Sequence, residues 1–349
     1  MADIRDLHLR VSSVKKEWTA FLASHGLSDF SDAEVASVDS VIGLFDGDRL
    51  VGTGAIAGNV LKFIAVDEGD VPGANFNQVV SELQTRLMMA GHSHMMVFTK
   101  PQYETSFGHV GFTTLAKTAV GVLLEAGAPG IKQYLTQLPG VQDQAHKQVA
   151  AIVMNANPFT QGHRYLVEKA AAENEIVDVF VVSTDRSLFT SAERMQLVQA
   201  GVADLKNVRV YPGGDYMVSY ATFPAYFLKS GDDVIRYQTT LDARLFRDWV
   251  APTLHISRRY VGEEPKSHTT AIYNTVLAKE LPPAVQLIVV PRLTQAGTVV
   301  TATQVRQALA NHQLATVQDF LPVSTWQFIQ DHQDELLKRI AKGVNIRGN

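Results

Sequence analysis

Short apolar runs separated by amphipathic stretches fill the second half of the sequence. The first run, Val149–Met154, contains no polar side chain, which is typical of a strand buried on both faces of a parallel sheet. The amphipathic stretches predict helices at residues 162–174 and 191–203. Four more runs predict strands at residues 176–183, 208–211, 256–261 and 286–290. Because strands alternate with helices, this half predicts a doubly wound, Rossmann-like parallel sheet.

The first part of the chain has a different pattern. Two strand-like runs, 40–45 and 50–57, flank Asp46-Gly47-Asp48, and Asp-Gly between such runs predicts a β-hairpin. Helices are expected at residues 13–23 and about 75–90, and further strands at 60–66, 94–99 and about 118–125. This order predicts an α+β domain in which a helix connects neighbouring strands.

A stretch with glycine and proline lies between the two patterns. It runs Gly127-Ala-Pro-Gly130 and continues as a polar segment to Gln148. We therefore predict a first domain at residues 1–127, a linker at 128–147 and a second domain at 148–349.

The two ends of the sequence differ in character. The N-terminal segment is polar and lacks the apolar core of a signal peptide. At the other end, Ser324 and Gln327 predict a capping box that opens a C-terminal helix. The longest apolar runs, such as VAAIVM, have six residues, whereas a membrane-spanning helix needs ~20. We expect a soluble, cytoplasmic protein.

Composition narrows the class of protein. The chain has 349 residues, of which 46% are hydrophobic, enough for about two domains with separate cores. Its 31 basic and 35 acidic residues give a net charge of −4, so bulk charge does not indicate a nucleic-acid or anionic-membrane partner.

The absence of cysteine from the sequence excludes several kinds of chemistry. A disulfide framework, a thiolate zinc site, an iron–sulfur cluster and a cysteine nucleophile all require cysteine side chains. An acyl thioester carried on this chain is excluded for the same reason.

The first motif with chemical content is NPFTQGHR, residues 157–164, which follows the first strand of the second domain and opens its first helix. Ligands of parallel sheets bind beyond the carboxyl ends of the strands, where a helix N-terminus offers free N–H groups to phosphate. Gly162 allows close backbone approach, and His163 can direct an imidazole at phosphate. The residues from Thr160 to His163 also fit an ordinary strand–turn–helix connection with an incidental histidine.

A second motif, TATQVR, begins a helix near the other end of the chain. The hydroxyls of Thr301 and Thr303 together with Arg306 could bind an anion at the helix start. Taken alone, the motif fits an ordinary threonine N-cap with a solvated arginine better. The two motifs carry more weight together, because both helix starts flank the same predicted sheet.

These motifs resemble those of the HxGH nucleotidyltransferase superfamily. The blocks NPFTQGHRYL, ERMQLV, ATFPAYFLK, RYVGEEP and TATQVR together resemble the citrate lyase ligase family, from about residue 40 to the C-terminus. Members of that family acetylate the thiol prosthetic group of citrate lyase at the expense of ATP. The resemblance implies the same activity here, with the site in the second domain.

The resemblance also implies roles for residues at the matching positions. Thr160 and His163 would contact the ATP phosphates, and His163 would stabilise the transition state at the α-phosphorus. Thr160 stands where the wider superfamily usually has its first histidine. Thr301, Thr303 and Arg306 would hold the β- and γ-phosphates.

The resemblance implies further residues at several places along the second domain. Arg186 and Arg194 match positions that touch phosphate or acyl groups, although either could equally be a solvated arginine. Gly213-Gly214-Asp215 and Ala221-Thr-Phe-Pro224 match family blocks, and the latter could shape a pocket for an acetyl group. The other implied ATP-binding residues are Asn157, Pro158, Phe159, Gly162, Gly262 and Glu263, the last followed by Glu264. No acidic cluster suggests a metal site of the protein itself, so Mg²⁺ is expected to arrive with ATP.

The first domain resembles the GNAT acetyltransferase fold. The strand at 60–66, the helix after it, and the segments Phe98-Thr-Lys-Pro101 and Phe107-Gly-His-Val-Gly-Phe112 follow that order. In active members the turn before the helix binds coenzyme A through its amides. Here Pro72 removes one amide donor and acidic residues lie nearby, which favours a scaffold or carrier-docking role over acetyl-CoA binding.

The expected function is that of a two-domain acid–thiol ligase. ATP would activate acetate as acetyl-adenylate, and the coenzyme-A-like thiol on the acyl carrier (gamma) subunit of citrate lyase would accept the acetyl group. No tightly bound cofactor, nucleic acid or membrane partner is expected. The alternatives are an adenylyltransferase acting on a phosphorylated small molecule and a GNAT-type acetyl-CoA sensor.

Overall fold

The computed structural model of the chain describes residues 3–28, 30–69, 71–183, 187–217, 231–263, 268–295 and 297–346. The chain divides into two units. The first comprises Met1–Tyr134 and Phe223–Leu241, and the second comprises Leu135–Thr222 and Asp242–Asn349. The narrower domain and linker bounds drawn from the sequence remain a prediction. Within the described ranges, no helix has both the length and the apolar character needed to cross a bilayer.

The first unit is built on a mixed seven-stranded sheet in the order β1-β2-β3-β4-β5-β7-β6. Its strands are β1 Asp3–Asp6, β2 Ser40–Asp46, β3 Arg49–Ala57, β4 Val60–Val66, β5 His94–Thr99, β6 Thr113–Lys117 and β7 Val122–Gly127. The helices are α1 Ser12–Ser24, α2 Asp32–Ala36, α3 Ala74–Met89 and α4 Glu104–His109, and α5 Ile131–Thr136 begins in this unit. All neighbouring strands are antiparallel except β4 and β5, which are parallel and joined through α3. This is the connection that the GNAT resemblance implies.

The β2–β3 hairpin is confirmed, with the turn at Gly47 in the left-handed region at φ 62°. Two strands of this sheet, β1 and β6, were missed in the sequence analysis. The edge strand β1 is short and mostly exposed, so it has no apolar alternation. The strand predicted from Thr118 is wrong in its start: the Thr118 hydroxyl accepts a hydrogen bond from the Gly121 amide in a turn, and β7 begins at Val122.

Apolar side chains cover both faces of this sheet. Helix α3 buries five of them on one face, namely Phe76, Val79, Val80, Leu83 and Leu87. On the other face, α1 buries Trp18 and Leu22, and the Trp18 indole donates a 3.0 Å hydrogen bond to the Thr53 hydroxyl. That bond satisfies the polar atom of an otherwise apolar ring.

The second unit contains a five-stranded parallel sheet in the order β10-β9-β8-β11-β12. Its strands are β8 Val149–Met154, β9 Ile176–Val181, β10 Val208–Pro212, β11 Ile256–Gly262 and β12 Gln286–Val290, and a small ribbon is formed by β13 Thr294–Gln295 and β14 Thr298–Val299. Its helices are α6 Gln161–Glu173, α7 Ser191–Gly201, the end of α8 Gly231–Leu245, α9 Ala251–Thr253, α10 His268–Glu280, α11 Ala302–Ala310, α12 Val323–Asp331 and α13 Gln333–Ala341. The expected α/β class, an α+β unit followed by a doubly wound parallel sheet, is confirmed.

The C-terminal helices belong to the core of the second unit. Phe328, Ile329 and Leu336 pack in one cluster with residues of α6, α7 and the sheet. The predicted capping box is wrong, because Pro322 is the N-cap of α12 and Ser324 lies inside the helix. A proline at that position has no side-chain acceptor, so the helix start is set by packing.

A buried carboxyl lies in the middle of the parallel sheet. Asp178 of β9 pairs in register with Arg209 of β10 and Ala151 of β8. The Gln144 amide donates a 2.5 Å hydrogen bond to its Oδ2, whereas Asp178 Oδ1 and Gln144 Oε1 have no hydrogen-bond partner among the described residues. Burial raises the pKa of Asp178 to about 6, although the hydrogen bond from Gln144 and the charge of Arg209 both act to lower it.

We expect Asp178→Asn to stabilise the protein at neutral and alkaline pH. A carboxyl whose folded-state pKa is raised from 3.8 to about 6 destabilises the folded state as pH rises through that interval. At pH 8 the raised pKa lowers the free energy of unfolding by about 3 kcal/mol. At pH 4.5 it lowers the free energy of unfolding by only about 1 kcal/mol. An asparagine amide can also donate to Gln144 Oε1. Urea unfolding at both pH values measures the difference.

The matched control is Asp143→Asn, which neutralises an exposed carboxylate beside the same Arg209. We expect it to change stability little at either pH. An equal gain from Asp178→Asn at pH 4.5 and pH 8 would contradict the assignment of a raised pKa to this carboxyl.

Candidate active site

The strand order of the parallel sheet reverses between β8 and β11. From β8 the chain continues through α6 to β9 on one side, whereas β11 lies on the other side. The carboxyl ends of these two strands, at Met154 and Gly262, therefore flank the crevice where open α/β sheets bind ligands. Both predicted phosphate motifs follow strands that end at this edge.

The first turn of α6 is closed by a reciprocal pair of hydrogen bonds. Thr160 is the N-cap, and its hydroxyl accepts from the His163 amide at 3.4 Å. In return, the Thr160 amide donates to His163 Nδ1 at 3.1 Å. Because Nδ1 accepts this hydrogen bond, it carries no proton of its own, and the proton of the neutral His163 ring lies on Nε2. The imidazole is thereby held in one tautomer as a hydrogen-bond donor.

The surroundings of His163 disfavour its protonation. Burial, and then the charges of Arg292 and Arg306, lower its pKa to about 4. The ring also stacks on buried Phe159, with centroids 5.8 Å apart and planes 17° apart. At pH 7 His163 is therefore a neutral, fixed donor rather than a cation.

Helix α11 begins with a second capping box. Thr301 is the N-cap, and its hydroxyl accepts from the Gln304 amide at 3.2 Å while Gln304 Oε1 accepts from the Thr301 amide at 3.1 Å. Helices α6 and α11 thus both start near this crevice, and a capping box fixes the first turn of each. The amides of a first helical turn carry partial positive charge that favours phosphate.

Arg306 joins the two motifs. It is buried, and its guanidinium donates to the carbonyl oxygen of Asn157, to the carbonyl oxygen of Ile346 at 3.0 Å and to the Thr303 hydroxyl at 3.1 Å. Burial lowers its pKa to about 10, so it stays charged at pH 7. The sequence predicted an arginine that reaches toward phosphate, and that contact stays a prediction. In the structure the buried Arg306 links the segment before α6 to α11.

Gly162 lies where the two helix starts approach each other. A Cβ atom on this residue would lie 3.3 Å from the carbonyl oxygen of Val300, the residue before the α11 N-cap. That distance is shorter than an ordinary van der Waals contact, so a side chain there would require a shift of a few tenths of an ångström. The close approach favours glycine at this position of the motif.

The other predicted residues of the α6 motif are buried beneath the crevice. Asn157 Oδ1 accepts a 3.2 Å hydrogen bond from the Phe189 amide, and Pro158 and Phe159 are also buried. Their side chains support the turn, and a ligand in the crevice would meet the backbone of this segment. Whether they contact ATP remains a prediction.

Arg194 lies in the interior, although the sequence suggested a phosphate or acyl contact. It is fully buried in α7 and donates to the carbonyl oxygens of Phe189, Asn155 and Val182 at 3.1, 3.0 and 2.7 Å, and to Asn155 Oδ1 at 2.6 Å. These acceptors lie after β8 and β9. The side chain therefore holds together the segments that follow the two strands.

The loop after β11 is also tied to its neighbours. The Gly262 carbonyl accepts from Asn274 at 3.2 Å, and the Glu263 amide donates to the Val290 carbonyl at 2.8 Å. The Glu263 carbonyl accepts from Arg292 at 2.7 Å. Arg292 lies two residues after β12. It was missed in the sequence analysis, although a cation just beyond a strand that ends at this edge of the sheet was a usable signal.

Some predicted positions lie outside the described residues, namely Arg186, Glu264 and Ala221-Thr-Phe-Pro224. Of the glycine pair in Gly213-Gly214-Asp215, Gly213 faces the carbonyl oxygen of Val181, which a Cβ would approach to 2.9 Å, and the Gly214 amide donates to the Ser183 hydroxyl at 2.9 Å. The pair thus packs against the end of β9. Among the described residues, no group of three or more acidic or histidine side chains is arranged to hold a metal ion.

Comparison with known proteins decides the family. The model of the citrate lyase ligase C-terminal domain matches residues 149–329. The [citrate [pro-3S]-lyase] ligase of Klebsiella pneumoniae is 37% identical over 88% of this chain and 90% of that protein. The chain belongs to the citrate lyase ligase family. It is accordingly an enzyme of the ligase class, and the resemblance seen in the sequence blocks is confirmed.

A second relative supports the assignment to the citrate lyase ligase family. The [citrate [pro-3S]-lyase] ligase of Escherichia coli (strain K12) is 34% identical over 87% of this chain and 90% of that protein. Among solved structures, a bifunctional NMN adenylyltransferase/ADP ribose pyrophosphatase from Francisella tularensis is similar with 16% identity and a TM-score of 0.38. That alignment covers 56% of this chain and 53% of the Francisella chain.

We expect Arg194→Met to destabilise the ligase by about 3 kcal/mol, because it leaves several buried oxygen acceptors without their donor. Thermal unfolding and the KM for ATP are both measured. The control, Arg164→Met on α6, removes part-exposed ion pairs with Glu168 of the same helix and with Asp204, which follows α7, and a hydrogen bond to the Gly201 carbonyl. It should cost about 1 kcal/mol.

The two roles considered for Arg194 give different results. A structural role lowers the unfolding temperature. An unchanged unfolding temperature combined with a raised KM for ATP would instead support the phosphate contact that the sequence suggested.

Proposed function

We propose that this enzyme uses ATP to acetylate the thiol prosthetic group on the acyl carrier (gamma) subunit of citrate lyase, and so activates citrate lyase. Membership of the ligase family supports the reaction class. The observation that carries the proposal is the neutral, donor-oriented His163 at the reversal point of the sheet. ATP is the substrate, AMP and pyrophosphate are products, and Mg²⁺ accompanies ATP.

The reaction has two steps. A carboxylate oxygen of acetate attacks the α-phosphorus of ATP, the bond to the β-phosphate oxygen breaks, and pyrophosphate leaves. In the second step, the carrier thiol loses its proton and attacks the acetyl carbonyl carbon. The bond to the adenylate oxygen breaks, and AMP leaves with the electron pair.

The residues of this chain act by position and charge. His163 donates from Nε2 to an α-phosphate oxygen, whose negative charge grows as the α-phosphorus becomes five-coordinate. Thr160 holds the imidazole in that tautomer. The first-turn amides of α6 and α11, with Thr301, Thr303 and Arg306, receive the β- and γ-phosphates. Preorganised donors of this kind stabilise the transition state without a covalent intermediate on the enzyme.

Nucleoside contacts are proposed for the loop that contains Gly262 and Glu263. This loop follows β11, on the opposite side of the crevice from α6, and is anchored to β12 through the Glu263 amide. Asn157, Pro158, Phe159 and Gly162 would line the phosphate side through their backbone. Arg186 is retained as an ATP-binding candidate, whereas the buried Arg194 is proposed to support the segments that follow β8 and β9.

The lack of cysteine constrains the acyl transfer. These 349 residues contain no thiol, so no thioester can form on them. The sulfur of the product thioester must therefore come from the partner, and we propose that the acetyl group reaches it as a non-covalently held adenylate. We propose the coenzyme-A-like group of the carrier as that sulfur, residues 1–127 as the docking scaffold, residues 128–147 as the linker, and residues 148–349 as the ligase domain. Since the partner and ATP are intracellular, the proposed location is the cytoplasm.

The test incubates the protein with ATP, Mg²⁺, acetate and deacetylated citrate lyase, and follows pyrophosphate, AMP and citrate cleavage. We expect pyrophosphate release to require acetate, and citrate cleavage to appear with carrier acetylation. His163→Asn should lower the rate by at least about 100-fold, because it removes a preorganised donor to the developing charge.

The matched control is His312→Asn. His312 is exposed and has a φ of 56°, which asparagine tolerates. It should retain the wild-type rate. Pyrophosphate release that ignores acetate and the carrier would overturn the ligase reaction and favour an adenylyltransferase. Full activity of His163→Asn would overturn the site.

A further inference from the structure

Arg292 lies at the carboxyl edge of the parallel sheet, two residues beyond β12. Its side chain is partly buried, and it belongs to none of the motifs by which the site was predicted. Its two described hydrogen bonds go to main-chain carbonyl oxygens, from Nε to Glu263 at 2.7 Å and from Nη1 to Val300 at 3.4 Å.

These two carbonyls belong to opposite sides of the crevice. Glu263 begins the loop after β11, and Val300 immediately precedes the N-cap of α11. Main-chain bonds keep both partners close to the arginine: the Glu263 amide donates to Val290 at 2.8 Å, and the Val300 amide donates to Leu293 at 3.1 Å. The guanidinium therefore bridges the loop after β11 and the start of α11.

The bridge reaches the first turn of α6 as well. The Val300 carbonyl that accepts from Arg292 is the same oxygen that a Cβ on Gly162 would approach to 3.3 Å. Gly162 directly precedes His163. A shift of Val300 would thus be felt at the helix start that presents the imidazole.

We propose that Arg292 is a positioning residue for this site: it clamps the loop after β11 against the starts of α6 and α11 and holds a positive charge beside His163. The inference rests on the proposed function for the role of His163 toward ATP. The clamp itself is independent of which acid is activated.

The electrostatic surroundings of His163 agree with this geometry. Among the described residues, the charged groups that act on the ring are Arg292, after β12, and Arg306, on α11, and both add to the effect of burial in lowering its pKa. The other side chains on the ring, Phe159 and Thr160, are uncharged. A guanidinium keeps its proton far above neutral pH even when burial lowers its pKa, as burial does for Arg292.

The first test follows the titration of His163 by NMR in wild type, Arg292→Gln and Arg292→Lys, with His163→Asn to assign the signal. Removal of a nearby positive charge raises the pKa of an imidazole. We expect Arg292→Gln to move the midpoint upward by about half a pH unit or more, and Arg292→Lys to leave it within about 0.2 units. An unmoved midpoint in Arg292→Gln would overturn the inference.

The second test measures ATP binding and the pH profile of the complete reaction in the same variants. Loss of the clamp should lower kcat/KM for ATP by about tenfold in Arg292→Gln, with its acid limb displaced toward neutral pH. Arg292→Lys keeps the charge without the fork, so it should lose affinity for ATP while the limb stays in place. If both variants lose kcat/KM for ATP equally and their acid limbs coincide, the result would contradict the positioning role and leave Arg292 with a structural role alone.

Arg258→Gln is the matched control. Arg258 also donates to main-chain and amide oxygens, at Glu173 and Asn174, but these lie at the C-terminal end of α6, the opposite end from His163. It should leave both the His163 titration and kcat/KM for ATP within about twofold of wild type. The NMR titration needs neither acetate nor carrier, so a failure of the ligase assay alone leaves it intact.

Discussion

The hydrogen bond from the Thr160 amide to His163 Nδ1 is the contact on which the candidate site depends. It satisfies an amide that the helix cannot bond internally, and it fixes the tautomer of the ring in the same geometry. A capping box usually uses a glutamate or glutamine at the third helical position. With histidine there, the residue that completes the cap is also the donor of the proposed site, so the geometry of the helix start and the position of the ring cannot vary separately.

Charge around this contact is held largely by main-chain oxygens. Arg194, Arg292 and Arg306 each donate to carbonyl groups of segments that follow strands of the parallel sheet. Carbonyls orient a guanidinium without a formal negative charge, so these bonds place cations at the edge of the sheet where a polyanion would bind. The same bonds cross-link loops that have little regular structure, which makes the site and the packing of the sheet edge parts of one network.

The sequence predicted the parts of the fold in which a local pattern matches its burial. The run VAAIVM became β8 with its predicted bounds, and Thr301 became the helix N-cap that its motif fitted. Helix α6 begins at Gln161, one residue before its predicted start. Prediction failed where long-range packing decides. Strand β1 exists because β2 offers an edge, and α12 begins at Pro322 without a side-chain cap. Arg194 and Arg306 were singled out as cations in the sequence, whereas Arg292 was missed. The burial of Arg194 and Arg306 depends in part on neighbours more than 30 positions away in sequence, which no local pattern contains.

Thr160 stands at the position where the resemblance of the motifs places the first histidine of the wider nucleotidyltransferase superfamily. The residue at this position has two tasks: its side chain accepts from the His163 amide, and its main-chain amide donates to His163 Nδ1. A protonated imidazole has no lone pair for the first task. Threonine performs the first task with a short side chain that is itself buried. Arg306 and Arg292, which lie farther along the chain, supply positive charge near the ring. Burial, and then these two charges, lower the pKa of His163 to about 4, so the ring is uncharged at neutral pH while its surroundings are cationic.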